Sequence, residues 1–115
     1  MSESASAPRT VLVTGGGRGI GAATSLLCAQ RGWSVAVNYA NDAHAAQGVV
    51  DRIRANGGTA LALQADVSSE AQVLAMFRRI DAELPPLGAL VNNAGVVDVV
   101  SRVDAMSLQI GRAHV

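Results

Sequence analysis

Closely spaced glycines mark the segment of this sequence that is best suited to bind a charged ligand. The segment 14–21 reads Thr-Gly-Gly-Gly-Arg-Gly-Ile-Gly and stands between a short apolar run and a proline-free stretch rich in Ala and Leu. Gly15 permits a sharp turn with positive φ, Gly19 leaves room for backbone to approach a phosphate, and Gly21 allows close packing. A helix that begins here would offer free N–H groups and a partial positive charge to an anion. The spacing predicts a dinucleotide site, and a tight turn without a ligand is the alternative.

Alternating strands and helices must position this turn. Short apolar runs predict strands at 10–13, 35–37, 59–64 and 89–91, and helical spacing predicts helices at 20–31, from 41–42 to 57–58, and 69–84. Ser69 and Gln72 match a capping box, and Pro85-Pro86 ends the third helix. Helical crossovers between strands build a parallel sheet. The pattern predicts an α/β fold, the N-terminal half of a Rossmann-type doubly wound parallel sheet, with about four strands and helices on both faces.

Two further motifs follow predicted strands. Asn92-Asn93-Ala94-Gly95 comes directly after the fourth strand, and Asp66-Val67 comes after the third. Small and polar residues at the carboxyl ends of parallel strands fit the crevice where such sheets bind ligands. The alternatives are an ordinary loop for the first motif and, for Asp66, a residue that only starts the turn before Ser69.

The motif Thr14-Gly-x-x-x-Gly19-x-Gly21 resembles the cofactor motif of the short-chain dehydrogenases/reductases. The likeness runs from about Thr10 to Gly95 and is to the single-domain members, which include 3-oxoacyl-acyl-carrier-protein reductases and sugar or alcohol dehydrogenases. The resemblance implies that Asn93 supports the central sheet while the two residues after it let the cofactor pass. It also implies that Asp66 accepts from the adenine amino group and that Asp66-Val67 bracket the ring.

The choice of cofactor depends on the end of the second strand. A carboxylate at this point binds the ribose hydroxyls of NAD and repels the extra phosphate of NADP. The sequence has Asn38-Tyr39-Ala40-Asn41, with Tyr39 where NAD-type members of the family carry Asp. Arg18 can reach the same ribose, and a guanidinium suits a phosphate dianion. The residues predict NADP, with NAD as the alternative; for Arg18 itself, a solvated loop charge is the alternative.

Fourteen residues are therefore predicted to bind the cofactor: Thr14, Gly15, Gly17, Arg18, Gly19, Ile20, Gly21, Asn38, Tyr39, Asp66, Val67, Asn93, Ala94 and Gly95. No metal ligand is assigned. The resemblance implies a catalytic Ser and a Tyr-x-x-x-Lys pair, but the nine basic residues are all Arg and Tyr39 is the one tyrosine. No catalytic residue is therefore assigned in this chain.

The predicted function of the parent protein is hydride transfer between NADP(H) and a small carbonyl or alcohol substrate, as the resemblance implies. A dinucleotide-binding module without catalysis and an inactive truncated fragment are the alternatives. A net charge of zero gives no footprint for nucleic acid or an anionic membrane. Cys28 as the single cysteine favours the cytoplasm. The resemblance also implies a homo-oligomer.

The expected organisation has three parts. Residues 1–9 form a flexible leader, 10–109 a partial Rossmann domain, and 110–115 a non-native tail. The tail Ile-Gly-Arg-Ala-His-Val is what the codons ATC GGA AGA GCA CAC GTC would encode, and that stretch of codons looks like a common sequencing adapter. We therefore expect that the reading frame was cut short.

Overall fold

A parallel sheet with a helix in every crossover makes up the part of the chain, residues 8–93, that this computed structural model describes. The elements are β1 (Thr10–Thr14), α1 (Gly19–Gln30), β2 (Ser34–Tyr39), α2 (Ala43–Ala55), β3 (Ala60–Gln64), α3 (Glu70–Glu83) and β4 (Leu87–Asn92). The predicted α/β fold is confirmed. The predicted tail and most of the predicted leader lie outside the described residues.

The strand order β3-β2-β1-β4 places the two most deeply buried strands, β2 and β1, in the middle of the sheet. All three neighbouring pairs are parallel. In β1, Val11, Leu12 and Val13 are at most 2 % exposed, because helices cover both faces of the sheet. The carboxyl ends of all four strands therefore lie at one edge, and the glycine-rich turn after β1 lies beside the loop that follows β2.

Two hydrophobic layers hold the helices on opposite faces of the sheet. Helix α3 packs on one face, and α2 packs on the other together with partly buried side chains of α1. The α3 layer contains Leu12, Leu63, Val73, Phe77 and Ile80, and the α2 layer contains Val35, Val37, Val49, Val50 and Ile53. The helix residues of both layers lie at helical spacing, and the burial of the two layers is the main source of stability for the fold.

The N-terminal caps of α2 and α3 agree with the sequence in part. Asp42 accepts a hydrogen bond from the Ala45 N–H at 3.0 Å, and Ser69 accepts one from the Gln72 N–H at 3.3 Å. The second hydrogen bond of the predicted capping box, from the Ser69 N–H to the Gln72 side chain, is wrong. The Gln72 side chain accepts from the Asp66 N–H at 2.8 Å, because the Ser69 N–H already donates to the Asp66 carbonyl.

Element ends differ from the predictions by a residue or two. Helix α1 begins at Gly19 because Arg18 is still extended, with φ −144° and ψ 157°. Helix α3 ends at Glu83, since Leu84 precedes a proline and is pushed to an extended conformation with φ −127° and ψ 164°. β3 begins at Ala60, so Thr59 lies just outside the strand.

The described residues offer neither a membrane span nor clustered metal ligands. Between residues 8 and 93, no helix is long and apolar enough to cross a membrane. The same stretch contains no group of three or more His, Cys, Asp or Glu placed to hold a metal ion. The free thiol of Cys28 is half-buried in α1, and burial raises its pKa, which disfavours the reactive thiolate.

Candidate functional site

The turn between β1 and α1 has the backbone geometry that its glycines predict. Gly15 has φ of 62° and Gly19 has φ of 54°, a region that residues with a side chain rarely enter. A side-chain carbon added at Gly19 would meet no atom within 4 Å, so the backbone faces open space there. The turn therefore presents main-chain atoms to the solvent at the carboxyl edge of the sheet.

Asn38, at the end of β2, holds this turn in place. Its side chain is buried, and its Oδ1 accepts from the Gly15 N–H at 3.1 Å. Its Nδ2 donates to the carbonyl oxygens of Leu63 at 3.3 Å and Ala65 at 3.1 Å. The Asn38 carbonyl also accepts from the Gly16 N–H at 2.9 Å. One amide thus connects the turn to β2 and to the end of β3.

Two glycines of the motif are required by packing inside the protein. A side-chain carbon at Gly21 would overlap the Gly15 carbonyl oxygen and lie 2.7 Å from Asn93 Nδ2. The same addition at Gly17 would lie 2.9 Å from the Cα of Ala46 in α2. Gly21 therefore lets α1 start directly against the turn, and Gly17 lets α2 approach it.

The N-terminus of α1 lacks a side-chain cap, unlike the N-termini of α2 and α3. Arg18 occupies the capping position without a side-chain hydrogen bond to the helix, and the first turn of α1 contains no acidic residue. The first N–H groups of a helix need acceptors and favour an anion. Ile20 is 77 % exposed in this first turn, where an apolar side chain gains nothing from the core.

A cleft of about 240 Å³ lies between the turn and the loop after β2. Its lining contains five of the predicted residues, Gly15, Gly17, Arg18, Asn38 and Tyr39, together with Ala40, Asn41 and Asp42. Among the described residues that line the cleft, Arg18 carries the positive charge and Asp42 the negative one. Their side chains meet across the cleft, with Arg18 Nη1 3.5 Å from Asp42 Oδ2.

The carboxylate of Asp42 is held in its ionised form. The Ala45 N–H, and after it the Arg18 side chain, lower the pKa of Asp42 below its ordinary value. Both side chains of the pair are open to solvent, with Arg18 75 % and Asp42 45 % exposed. Such an exposed pair is weak and salt-sensitive, so a ligand can replace it.

Asp66 and Val67 lie apart from the lining of this cleft, at the end of β3. Asp66 Oδ1 accepts from the Ser68 N–H at 2.9 Å and the Ser68 Oγ at 2.6 Å. These bonds lower the pKa of Asp66, the Ser68 hydroxyl more than the N–H. Val67 is buried in the α3 layer. Asp66 therefore shapes the turn, as the alternative interpretation holds, and its adenine contact stays a prediction.

Thr14 and Asn93 connect the ends of β1 and β4 beneath the turn. The Thr14 hydroxyl accepts from the Asn93 N–H at 2.8 Å, and Asn93 Nδ2 donates to the Gly15 carbonyl at 3.3 Å. Asn93 thus connects the end of β4 to β1 and to the turn, and its role in the cofactor site stays a prediction. Ala94 and Gly95 lie outside the described residues.

Two residues with contacts at the turn or the cleft, Ser25 and Asp42, are absent from the sequence-based assignment. Ser25 is buried in α1, and its hydroxyl donates to the carbonyl oxygens of Gly16 at 3.2 Å and Gly21 at 2.9 Å. From the sequence, Asp42 is expected only at the start of the second helix. The sequence contains a signal for Asp42, because the loops that follow neighbouring parallel strands lie side by side. The loop after β2 carries this acid, and the loop after β1 carries Arg18.

The Ser68 hydrogen bonds make a testable contribution to the acidity of Asp66. Ser68→Ala should raise the pKa of Asp66 towards its ordinary value, while the remaining N–H keeps it partly lowered. Because the folded pKa is the lower one, these bonds stabilise the protein above pH of about 4, and that stability is lost as pH falls through the folded pKa. NMR titration of the carboxyl carbons measures the change. The pKa of Asp42 serves as the internal control, and an unmoved Asp66 would contradict the assignment.

Comparison with known proteins identifies the family. The family model described as short chain dehydrogenase matches residues 9–111. The chain is 54 % identical over 98 residues to the uncharacterized oxidoreductase YgfF of Escherichia coli (strain K12), which covers 85 % of this chain and 40 % of that protein. It is 42 % identical over 88 residues to the 3-oxoacyl-[acyl-carrier-protein] reductase FabG of Staphylococcus aureus (strain Mu50 / ATCC 700699), covering 76 % of this chain and 36 % of FabG.

A solved structure gives the same result. A dehydrogenase/reductase from Sinorhizobium meliloti 1021 superposes with a TM-score of 0.75 at 42 % identity, covering 79 % of this chain and 36 % of the other. The chain thus spans about two fifths or less of the length of these relatives. The matched region contains the glycine-rich turn, the cleft and the four parallel strands described above. The chain belongs to the short chain dehydrogenase family.

Proposed function

We propose that this chain is the cofactor-binding part of an NADP-dependent oxidoreductase. The parent protein would transfer hydride between NADP(H) and the carbonyl or alcohol carbon of a small-molecule substrate, in the cytoplasm and as a homo-oligomer. The observation that carries the choice of NADP is the position of Arg18, whose guanidinium reaches across the cleft to the loop after β2. Membership of an NAD(P)-using family supports the reaction class, and the names of its reductase relatives agree with it.

The residues of the turn fit a dinucleotide pyrophosphate. The uncapped first turn of α1 leaves main-chain N–H groups to donate to phosphate oxygens, and the partial positive charge of the helix end favours the anion. Glycine at 15 and 19 keeps side chains out of the approach. The turn would be supported on the side of the sheet by Thr14, Asn38 and Asn93, because their hydrogen bonds fix it there.

The residues of the cleft fit a ribose that carries a 2′-phosphate. Tyr39 closes β2 with a phenol where a carboxylate would repel that phosphate, and Arg18 offers a planar set of donors. Asp66 and Val67, at the end of the neighbouring strand β3, would border the adenine. Ile20 would lie along the remainder of the cofactor, and Ala94 and Gly95 stay predicted cofactor-binding residues.

The chemistry assigned to this chain is binding and orientation. When bound, the nicotinamide ring supplies or accepts the hydride, and the protein determines which face and which substrate it meets. The main-chain N–H groups of the turn would bind the pyrophosphate of the dinucleotide. The hydrogen bonds of Asn38 and Asn93 would keep the turn, and with it these N–H groups, in position. Proton transfer to the substrate oxygen requires an acid that no residue assigned above supplies.

A dinucleotide-binding module without catalysis is the second candidate. This candidate needs only the residues that bind or support the cofactor, and Arg18 and Tyr39, which line the cleft, are of that kind. Both candidates bind the cofactor in the same place. They differ in hydride transfer, so oxidation of bound NADPH by carbonyl compounds would distinguish them.

Arg18→Gln tests the role of the guanidinium. We expect the dissociation constant for NADP⁺ to rise about tenfold, since a charge-assisted hydrogen bond to phosphate is lost, while NAD⁺ binding changes little. Isothermal titration calorimetry of the purified protein measures both constants. Arg78→Gln is the matched control, because Arg78 is exposed on α3 and lies outside the cleft. Equal losses for NADP⁺ and NAD⁺ would contradict the proposal.

A further inference from the structure

The acid of the cleft, Asp42, is bound to two different partners through its two oxygens. Oδ1 accepts from the Ala45 N–H at 3.0 Å and so caps α2, whereas Oδ2 lies 3.5 Å from Arg18 Nη1. Because the cap fixes Oδ1, the carboxylate cannot turn away from the cleft without uncapping the helix. The negative charge is therefore a permanent part of the surface that faces Arg18.

A phosphate that binds Arg18 must share the cleft with this carboxylate. Arg18 and Asp42 are the charged residues among those that line it, so their charges cancel. A dianion beside a fixed carboxylate is repelled, whereas the uncharged 2′-hydroxyl of NAD is not. The negative charge also cancels part of the attraction that the N-terminus of α2 would exert on a phosphate.

We infer that Asp42 is a specificity-determining residue that opposes the 2′-phosphate of NADP and narrows the preference for NADP over NAD. The inference rests on the proposed function, in which Arg18 binds that phosphate. In the wild-type protein NADP⁺ displaces the weak Arg18–Asp42 pair and is then held less tightly than the guanidinium alone would hold it. NAD⁺ leaves the pair intact. Arg18 thus raises the affinity for NADP⁺, and Asp42, in the same cleft, lowers it.

The alternative role for Asp42 is to hold Arg18 ready for the phosphate. The observed contact does not support this role, because a single distance of 3.5 Å between two solvent-exposed side chains does little to fix a flexible guanidinium. A positioning residue usually engages two donors of the guanidinium at shorter distance. The two roles predict opposite effects of removing the charge.

Asp42→Asn and Asp42→Ser test the inference. Both residues cap helices as well as Asp does, so α2 should remain folded, which thermal melting checks. We expect the dissociation constant for NADP⁺ to fall about threefold to tenfold and that for NAD⁺ to stay within about twofold. The gain should shrink when the salt concentration is raised from about 0.05 M to about 0.5 M, because salt screens exposed charges. Calorimetric titration of the purified protein with NADP⁺ and NAD⁺ gives all of these constants.

Asp51→Asn is the matched control, since it removes one negative charge from the same helix at a position outside the cleft. Tighter NADP⁺ binding in both Asp42 variants but not in the control supports the inference. Unchanged or weaker NADP⁺ binding in the Asp42 variants, with wild-type protein that still prefers NADP⁺, overturns it and leaves the proposed function standing. Wild-type protein that binds neither cofactor overturns both.

Discussion

Gly21→Ala is expected to lower the free energy of unfolding by about 3 kcal/mol and to abolish measurable cofactor binding. The added methyl group would overlap the carbonyl oxygen of Gly15, a main-chain atom that cannot rotate away. It would also lie 2.7 Å from Asn93 Nδ2, which donates to that same oxygen. Helix α1 or the turn must therefore shift, and the positions of the phosphate-binding N–H groups shift with it.

The stability change is measured by urea unfolding and thermal melting. For a chain of this size, about 3 kcal/mol corresponds to a Tm lower by roughly 12 to 24 °C. Gly48→Ala is the matched control, because Gly48 is in α2 and an added carbon there meets no atom within 4 Å. That change should raise stability by up to about 1 kcal/mol, the helix propensity difference. A Gly21→Ala variant as stable as wild type would show that the close contact is not present in solution.

Asn38→Leu should lower the free energy of unfolding by about 3 kcal/mol or more, since it leaves several buried polar groups without partners. The side chain is 2 % exposed and bonds to the N–H of Gly15 and the carbonyl groups of Leu63 and Ala65. Because leucine has a volume similar to that of asparagine, the lower free energy of unfolding measures the missing hydrogen bonds and not a cavity. Cofactor affinity should fall as well, because the turn loses the acceptor that fixes Gly15.

Urea unfolding and calorimetry of the same variant measure the two effects. Asn56→Leu is the control, because Asn56 is exposed at the C-terminus of α2, where a surface substitution changes stability by about 0.5 kcal/mol or less. Were Asn38→Leu to lose cofactor binding with full stability, the amide would be a direct ligand and not a support of the turn.

Most of the fold could be predicted from the sequence because its strands are unambiguous. Val11, Leu12 and Val13 form a continuous apolar run in β1 just before the glycines, and such a run suits a strand buried on both faces. Asp42 and Ser69 mark helix starts through a local hydrogen bond to the backbone, which depends on three or four residues. The capping box failed in its second half because Gln72 found a partner outside the motif, the N–H of Asp66.

The site was less predictable because its contacts join residues distant in sequence. Arg18 was identified from its place in the glycine-rich turn, but its pairing with Asp42, 24 positions away, depends on how two loops lie side by side. Asn38 was predicted to bind the cofactor, and its burial and its bonds to Gly15 and the end of β3 appear only in three dimensions. Local patterns identified the turn, and tertiary contacts determine what supports it.

A side-by-side calorimetric titration of the wild-type protein with NADP⁺ and NAD⁺ tests whether the cleft binds a dinucleotide and prefers NADP⁺. The position of Arg18 and the phenol of Tyr39 at the end of β2 predict that both cofactors bind at one site per chain, NADP⁺ more tightly. Competition between the two would show that the site is shared. Tighter binding of NAD⁺ would contradict the proposed preference for NADP⁺, and no binding of either cofactor would contradict a dinucleotide site in this chain.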